Sequence, residues 1–81
     1  MESIIKLDWI VEGNHKKAED DIYDQLGNKV TNIQLINAQY REYEITYADT
    51  PKKLLQKLIE IGYYDENAAN DHLSDIKTQN S

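Results

Sequence analysis

The first segment of the chain carries its clearest pattern. Between residues 3 and 12, apolar and polar side chains alternate, which is typical of a strand with one buried face. The apolar set is Ser3, Ile5, Leu7, Trp9 and Val11. We therefore predict a strand whose inner face covers the core, with Trp9 as a major contributor to stability.

Two later segments show the same alternation. Residues 30–38 place Ile33 and Leu35 on one face, and residues 41–48 place three apolar side chains on one face: Tyr43, Ile45 and Tyr47. The connection between the segments is short, so they should form an antiparallel hairpin. No Asn-Gly marks the turn, which leaves its type and the register open.

Three segments have helical spacing instead. They cover residues 15–26, 51–61 and about 66–77. Each follows a residue that is typical of an N-cap, namely Asn14, Thr50 and Asp65. The first two end at a glycine, Gly27 or Gly62, and the only proline, Pro51, occupies a first helical position.

The predicted order β-α-β-β-α-α indicates an α+β fold. It favours a three-stranded antiparallel sheet with the helices packed on one face. If the last strand lies between the other two, the layout is a split β-α-β, a ferredoxin-like variant whose usual fourth strand is replaced by helix. We expect a single domain over residues 1–77 and a frayed tail over residues 78–81.

Composition and charge narrow the range of partners. The 81 residues include 9 Lys plus Arg and 15 Asp plus Glu, for a net charge of −6. An acidic chain with one arginine, Arg41, argues against direct nucleic-acid binding and against an anionic membrane surface. No apolar run approaches the length of a membrane span or a secretory signal, so we expect a cytoplasmic protein.

The residue types give little support for an enzyme. There is no cysteine and no Gly-x-Ser-x-Gly motif, and the two histidines, His15 and His72, lack metal-ligand spacing. We therefore predict no catalytic, metal-binding or cofactor-binding residues. A weaker alternative is an anion site at residues 50–53, where Lys52 and Lys53 lie at a helix N-terminus.

The leading hypothesis is a small acidic interaction module, a regulator or inhibitor of a basic protein, with nucleic-acid-handling proteins as one candidate class. In type it resembles phage-encoded regulators and inhibitors whose carboxylates stand in for phosphates. Each carboxylate would face a Lys or Arg of the partner, and tyrosines would anchor the contact. The predicted partner-binding residues are Glu19, Asp20, Asp21, Asp24, Glu42, Glu44, Tyr63 and Tyr64.

The alternative hypothesis is self-association. The strand pattern places Ile4, Ile10 and Ile36 on the open face of the sheet, among charged and polar neighbours. A structural or accessory subunit could form a homodimer through that face. Scattered surface isoleucines are also common, so the pattern alone does not choose between the two.

Overall fold

The computed structural model describes residues 1–79 of the chain. Its strands are β1 (Glu2–Asp8), β2 (Val30–Asn37), β3 (Glu42–Tyr47) and β4 (Lys77–Gln79). Its helices are α1 (His15–Leu26), α2 (Pro51–Glu60) and α3 (Glu66–His72), and α3 continues into a 3-10 turn at Leu73–Asp75. The fold is α+β, as predicted.

The sheet has four strands rather than the three predicted. Their order is β2-β3-β1-β4, and every neighbouring pair is antiparallel. β3 lies between β1 and β2, so α1 connects two strands that are not neighbours. Thr78 and Gln79, expected to fray, instead pair with Ser3 and Glu2. Residues 80 and 81 of the predicted tail lie outside the described residues.

The fourth strand arises where a longer helix was expected. In the predicted helix over residues 66–77, Ala69, Leu73 and Ile76 have the spacing of one helical face, but Ala69 is buried and Leu73 is 45% exposed. The chain leaves the α-helix after His72 and is extended at Ile76, which is buried. The three residues therefore do not belong to one helix. Ala69 lies in α3, Leu73 in the 3-10 turn and Ile76 in extended chain.

The core lies between one face of the sheet and the helices. The predicted inner face is confirmed for the seven residues that are buried, namely Ser3, Ile5, Leu7, Trp9, Tyr43, Ile45 and Tyr47. Val11, Ile33 and Leu35 are half-buried. The buried helical residues that share this core are Ala18, Ile22, Leu26, Leu54, Leu55 and Leu58. The opposite face of the sheet is left open.

The helix boundaries follow the predicted capping residues. The side-chain oxygens of Asn14, Thr50 and Asp65 each accept a hydrogen bond from the backbone N–H three residues further on. Gly27, with φ of 83°, ends α1, and its N–H donates to the Tyr23 carbonyl. These local signals explain why the helix starts were predicted correctly.

β1 ends earlier than the alternation suggested. Its ladder stops at Asp8, although the Trp9 N–H still donates to the Arg41 carbonyl at 2.9 Å. The chain then leaves the sheet to reach the N-cap of α1. Ile10 lies in this connection and is 81% exposed, so it is not on the sheet face to which it was assigned.

Trp9 connects three parts of the molecule. Its indole N–H donates to Asp21 Oδ2 on α1 at 2.8 Å. Its ring stacks on Tyr63, which follows α2, with centroids 5.3 Å apart and planes 5° apart. The end of β1, α1 and the α2–α3 connection therefore share one side chain.

Asp49 forms a second junction, at the start of α2. Its side chain accepts hydrogen bonds from Lys29 Nζ, just before β2, and from the Thr50 N–H at 2.8 Å. Its backbone carbonyl accepts a bond from Ser3 Oγ on β1 at 2.6 Å. The Lys29 ammonium and the Thr50 N–H hold the pKa of the Asp49 carboxyl below its usual value.

Replacing Trp9 should test the core assignment. Trp9→Ala should lower the free energy of unfolding by about 3–5 kcal/mol, because a large buried side chain is removed. Chemical denaturation measures this change. The adjacent and exposed Ile10 provides a control, since Ile10→Ala should stay within about 0.5 kcal/mol of the parent. A loss below about 1 kcal/mol for Trp9→Ala would contradict its place in the core.

Replacing Asp49 should make stability depend differently on pH. The depressed pKa means that ionised Asp49 stabilises the fold above its unfolded value of 3.8. This contribution is lost as the pH falls through the lower folded value. Asp49→Asn should therefore be less stable than the parent at pH 7, and denaturation curves should converge in acid. Asp24→Asn, an exposed change of equal charge on α1, should not show this convergence.

Candidate functional site

A groove forms where β4 stops covering the edge of β1. β4 pairs only with Glu2, Ser3 and Ile4, so the remainder of that β1 edge has no strand beside it in the described part of the chain. The segment after α2 and the end of α3 lie along this stretch instead. The groove therefore joins the open sheet face to the α2–α3 region.

Three rings, those of Tyr63, Tyr64 and His72, form one wall of the groove. They continue a stack that begins at the buried Trp9, and we call the four rings together the aromatic row. Tyr63 stacks on Trp9, and Tyr64 packs edge-on against Tyr63 with centroids 4.8 Å apart. His72 stacks on Tyr64 at 4.9 Å and contacts Asp75 through Nδ1 at 3.1 Å. The rings therefore pack in the order Trp9, Tyr63, Tyr64 and His72, and Trp9 anchors this row in the core.

The end of α2 aims Tyr63 and Tyr64 at β1. Gly62 has a φ of 83°, a left-handed conformation that favours glycine. The turn there allows the N–H groups of Tyr63 and Tyr64 to donate to the Leu58 carbonyl, at 2.9 and 3.3 Å. The Tyr63 hydroxyl then donates to the Asp8 carbonyl at 2.7 Å. A local helix-ending signal therefore positions two of the predicted partner-binding residues.

The groove has a volume of about 540 Å³. Its floor and walls combine apolar and polar residues of β1, β3, the segment from Tyr63 to Asp75 and the start of β4. The charged members are Lys6, Asp8, Glu42, Glu44, Asp75 and Lys77. Four carboxylates against two ammonium groups leave the groove acidic.

The strand register places like charges together on the floor. Lys6 lies opposite Glu44, a complementary pair, but Asp8 lies directly opposite Glu42. Like charges at opposite positions of an antiparallel pair destabilise the sheet. Neither Asp8 nor Glu42 has an ion-pair partner within residues 1–79. A cation placed between these two carboxylates would relieve their repulsion.

The tyrosines beside them remain neutral hydrogen-bonding groups. Burial, with the nearby Tyr63, Asp75 and Asp8, raises the pKa of Tyr64 to about 12. Burial and Asp8 also raise the pKa of Tyr63. Both phenols therefore stay protonated at neutral pH, and aromatic rings of this kind attract cations.

An organic cation fits this chemistry better than a metal ion. Among the described residues, no group of three or more histidines or carboxylates is placed to hold a metal. A guanidinium group can bind carboxylates through paired N–H donors and also stack on an aromatic ring. The groove presents both kinds of surface side by side.

The eight predicted partner-binding residues divide between the groove and α1. Four of them line the groove: Glu42, Glu44, Tyr63 and Tyr64. The other four lie on α1, which packs on the opposite face: Glu19, Asp20, Asp21 and Asp24. Asp21 accepts the Trp9 indole bond and lines a smaller groove of about 320 Å³, also lined by Tyr63. Tyr63 therefore lines both grooves and lies between the two groups of predicted residues.

The three isoleucines predicted for self-association do not share one setting. Ile4 is half-buried and lines the groove. Ile36 is 42% exposed at the far end of β2, on the edge strand. Ile10, in the connection after β1, lines the smaller groove.

Sequence reasoning did not identify the wall formed by His72, Asp75 and Lys77. Their position depends on the turn after α3 and on β4. Neither was predicted, because the helical spacing indicated a continuous helix over residues 66–77. A weak signal was present, because the β-branched residues Ile76 and Thr78 alternate with polar ones. A strand of three residues is too short for that signal to predict.

The helix start considered as an anion site already holds a carboxylate. Asp49 accepts the Thr50 N–H, and the Thr50 hydroxyl accepts the Lys53 N–H. Lys52 and Lys53 remain exposed. The chain's own acid therefore occupies part of the position that an external anion would take.

Comparisons with protein-family models, with curated proteins and with solved structures found no match to this chain. Within residues 1–79, none of the helices has the length and apolar character needed to cross a membrane.

Proposed function

We propose that this protein is a small non-enzymatic interaction module of the cytoplasm, which regulates or inhibits a protein with a basic surface. The groove would receive an arginine side chain of that partner. The observation that carries the proposal is the register of β1 and β3, which sets Asp8 against Glu42 beside two half-buried tyrosines.

The net charge supports the same class of partner. A chain of −6 attracts basic proteins over distances of about one Debye length, roughly 8–10 Å at moderate salt. Attraction of this kind speeds encounter, while the groove would supply the oriented contacts. A partner that handles nucleic acid is the natural candidate, because its phosphate-binding surface is already built to bind anions.

The α1 carboxylates have a different role in this proposal. Asp20 and Asp24 are exposed, and neither lines one of the two grooves. They would contribute to the overall field and to solubility rather than to a shaped contact. The groove carboxylates would carry the specific recognition.

We also propose that the fold is a ferredoxin-like variant. The order β2-β3-β1-β4, with all neighbours antiparallel and α1 joining β1 to β2, supports this assignment. The second crossover then carries α2 and the additional short helix α3 before β4. This fold hosts many functions, so the functional proposal rests on the groove and not on the fold.

Binding of a defined peptide tests the groove. An arginine-rich peptide should bind with an affinity that falls as salt rises, and its citrulline counterpart should bind much more weakly. Titration followed by NMR should shift resonances of residues that line the groove. The double change Glu42→Gln with Glu44→Gln should weaken binding by roughly 2- to 30-fold, since each ion pair contributes about 0.2–1 kcal/mol.

The matched control removes the same charge from the other side of the sheet. Asp20→Asn with Asp24→Asn changes the net charge equally but leaves the groove intact. Equal losses in the two double variants would contradict recognition by the groove, because net charge alone would then explain binding. Equal binding of the citrulline peptide would contradict the cationic ligand.

A further inference from the structure

The outer edge of β2 is unpaired. β2 is the first strand in the sheet order, and β3 is the only strand that pairs with it within the described residues. An edge strand presents backbone N–H and C=O groups that can pair with another strand. β2 has eight residues, longer than the average strand of about five or six.

β2 also lacks the usual protection of an edge strand. Natural edges are commonly short or carry charged side chains or proline, which prevent unwanted pairing. β4, the opposite edge, is three residues long and includes Lys77. β2 has no proline and no charged residue, whereas every other strand of this highly charged chain carries at least one.

The apolar side chains of β2 are incompletely covered. Ile33 and Leu35 point to the helix side and pack against the core, but both are only half-buried. Ile36, at the next position, is 42% exposed. A strand added to this edge would cover more of these side chains while it satisfied the backbone groups.

The regular part of the edge is short and defined. The register with β3 shifts between Val30 and Asn32, and again between Leu35 and Asn37. Such irregularities bend a strand and limit its pairing. The uninterrupted segment is therefore residues 32–35, and Gln34 lies in it with Ile33 and Leu35 on either side.

We propose that β2 pairs antiparallel with β2 of a second copy of this chain, across a two-fold axis at Gln34. In this arrangement Gln34 lies opposite Gln34 of the second copy, and Ile33 lies opposite Leu35 of the second copy. The two four-stranded sheets become one continuous sheet of eight strands, with the helices of both copies on the same side.

A second copy is the occupant that the charges favour. Two chains of −6 repel one another, so they can approach best where neither presents a charge, and β2 is such a place. A foreign basic or acidic partner would find no complementary charge on this strand. Antiparallel pairing of a strand with its own copy is self-complementary, as a two-fold interface requires.

This interface leaves the groove free. The groove lies along β1 and β4, on the other side of β3 from β2. Dimerisation and binding of a basic partner would therefore respond to salt in opposite ways. Added salt should strengthen the dimer by screening like charges, and it should weaken binding of the basic partner.

Sedimentation equilibrium tests the pairing. The parent protein should dimerise at the concentrations of an NMR sample. Gln34→Lys and Gln34→Glu should each raise the dimer dissociation constant about tenfold or more, because like charges would then lie directly opposite. A mixture of the two variants should restore dimers, since the lysine of one copy would face the glutamate of the other.

Thr46→Lys is the matched control, because it adds a lysine to the same sheet face on β3, away from the edge. It should leave dimerisation unchanged, and thermal melts should show that all variants remain folded. A monomeric parent, or a mixture that does not associate, would overturn the proposal. Loss of the dimer in Ile4→Gln but not in Gln34→Lys would overturn it in favour of the open sheet face.

Discussion

The placement of Trp9 is the constraint on which both the fold and the candidate site depend. The indole is buried just after the end of β1, donates a hydrogen bond to Asp21 on α1 and stacks on Tyr63 after α2. Through Tyr63 it also supports the rings of Tyr64 and His72. The groove wall is therefore an extension of the core, and its shape is set by packing rather than by the groove residues themselves.

Much of the inner architecture could be predicted because its signals are local. Alternation over β1 and β3 identified the buried face, including Ile5, Trp9 and Tyr43, and capping residues such as Asn14 identified the helix starts. β4 could not be predicted, because three residues carry too little pattern and pair with Glu2–Ile4 at the other end of the described chain. Pairing between strands that are so far apart in the sequence produces no local sequence pattern.

Only part of the candidate site could be predicted from the sequence, for the same reason. Glu42, Glu44, Tyr63 and Tyr64 were identified by residue type, but type alone could not separate them from the α1 carboxylates. Separation required the strand register, which sets Asp8 beside Glu42, and the path of the chain after Gly62. Both are consequences of tertiary structure.

The strand order also bears on how the chain folds as it is synthesised. β1 emerges first, yet its neighbours are β3, some forty residues later, and β4, where Gln79 meets Glu2. The centre of the sheet cannot close until β3 is available, so early folding is limited to α1 and its local contacts. Assembly is then governed by long-range pairing, which carries a large loop-closure entropy and slows the folding rate. During that interval β1 is a hydrophobic strand without a sheet, and a nascent chain would be most prone to aggregate there.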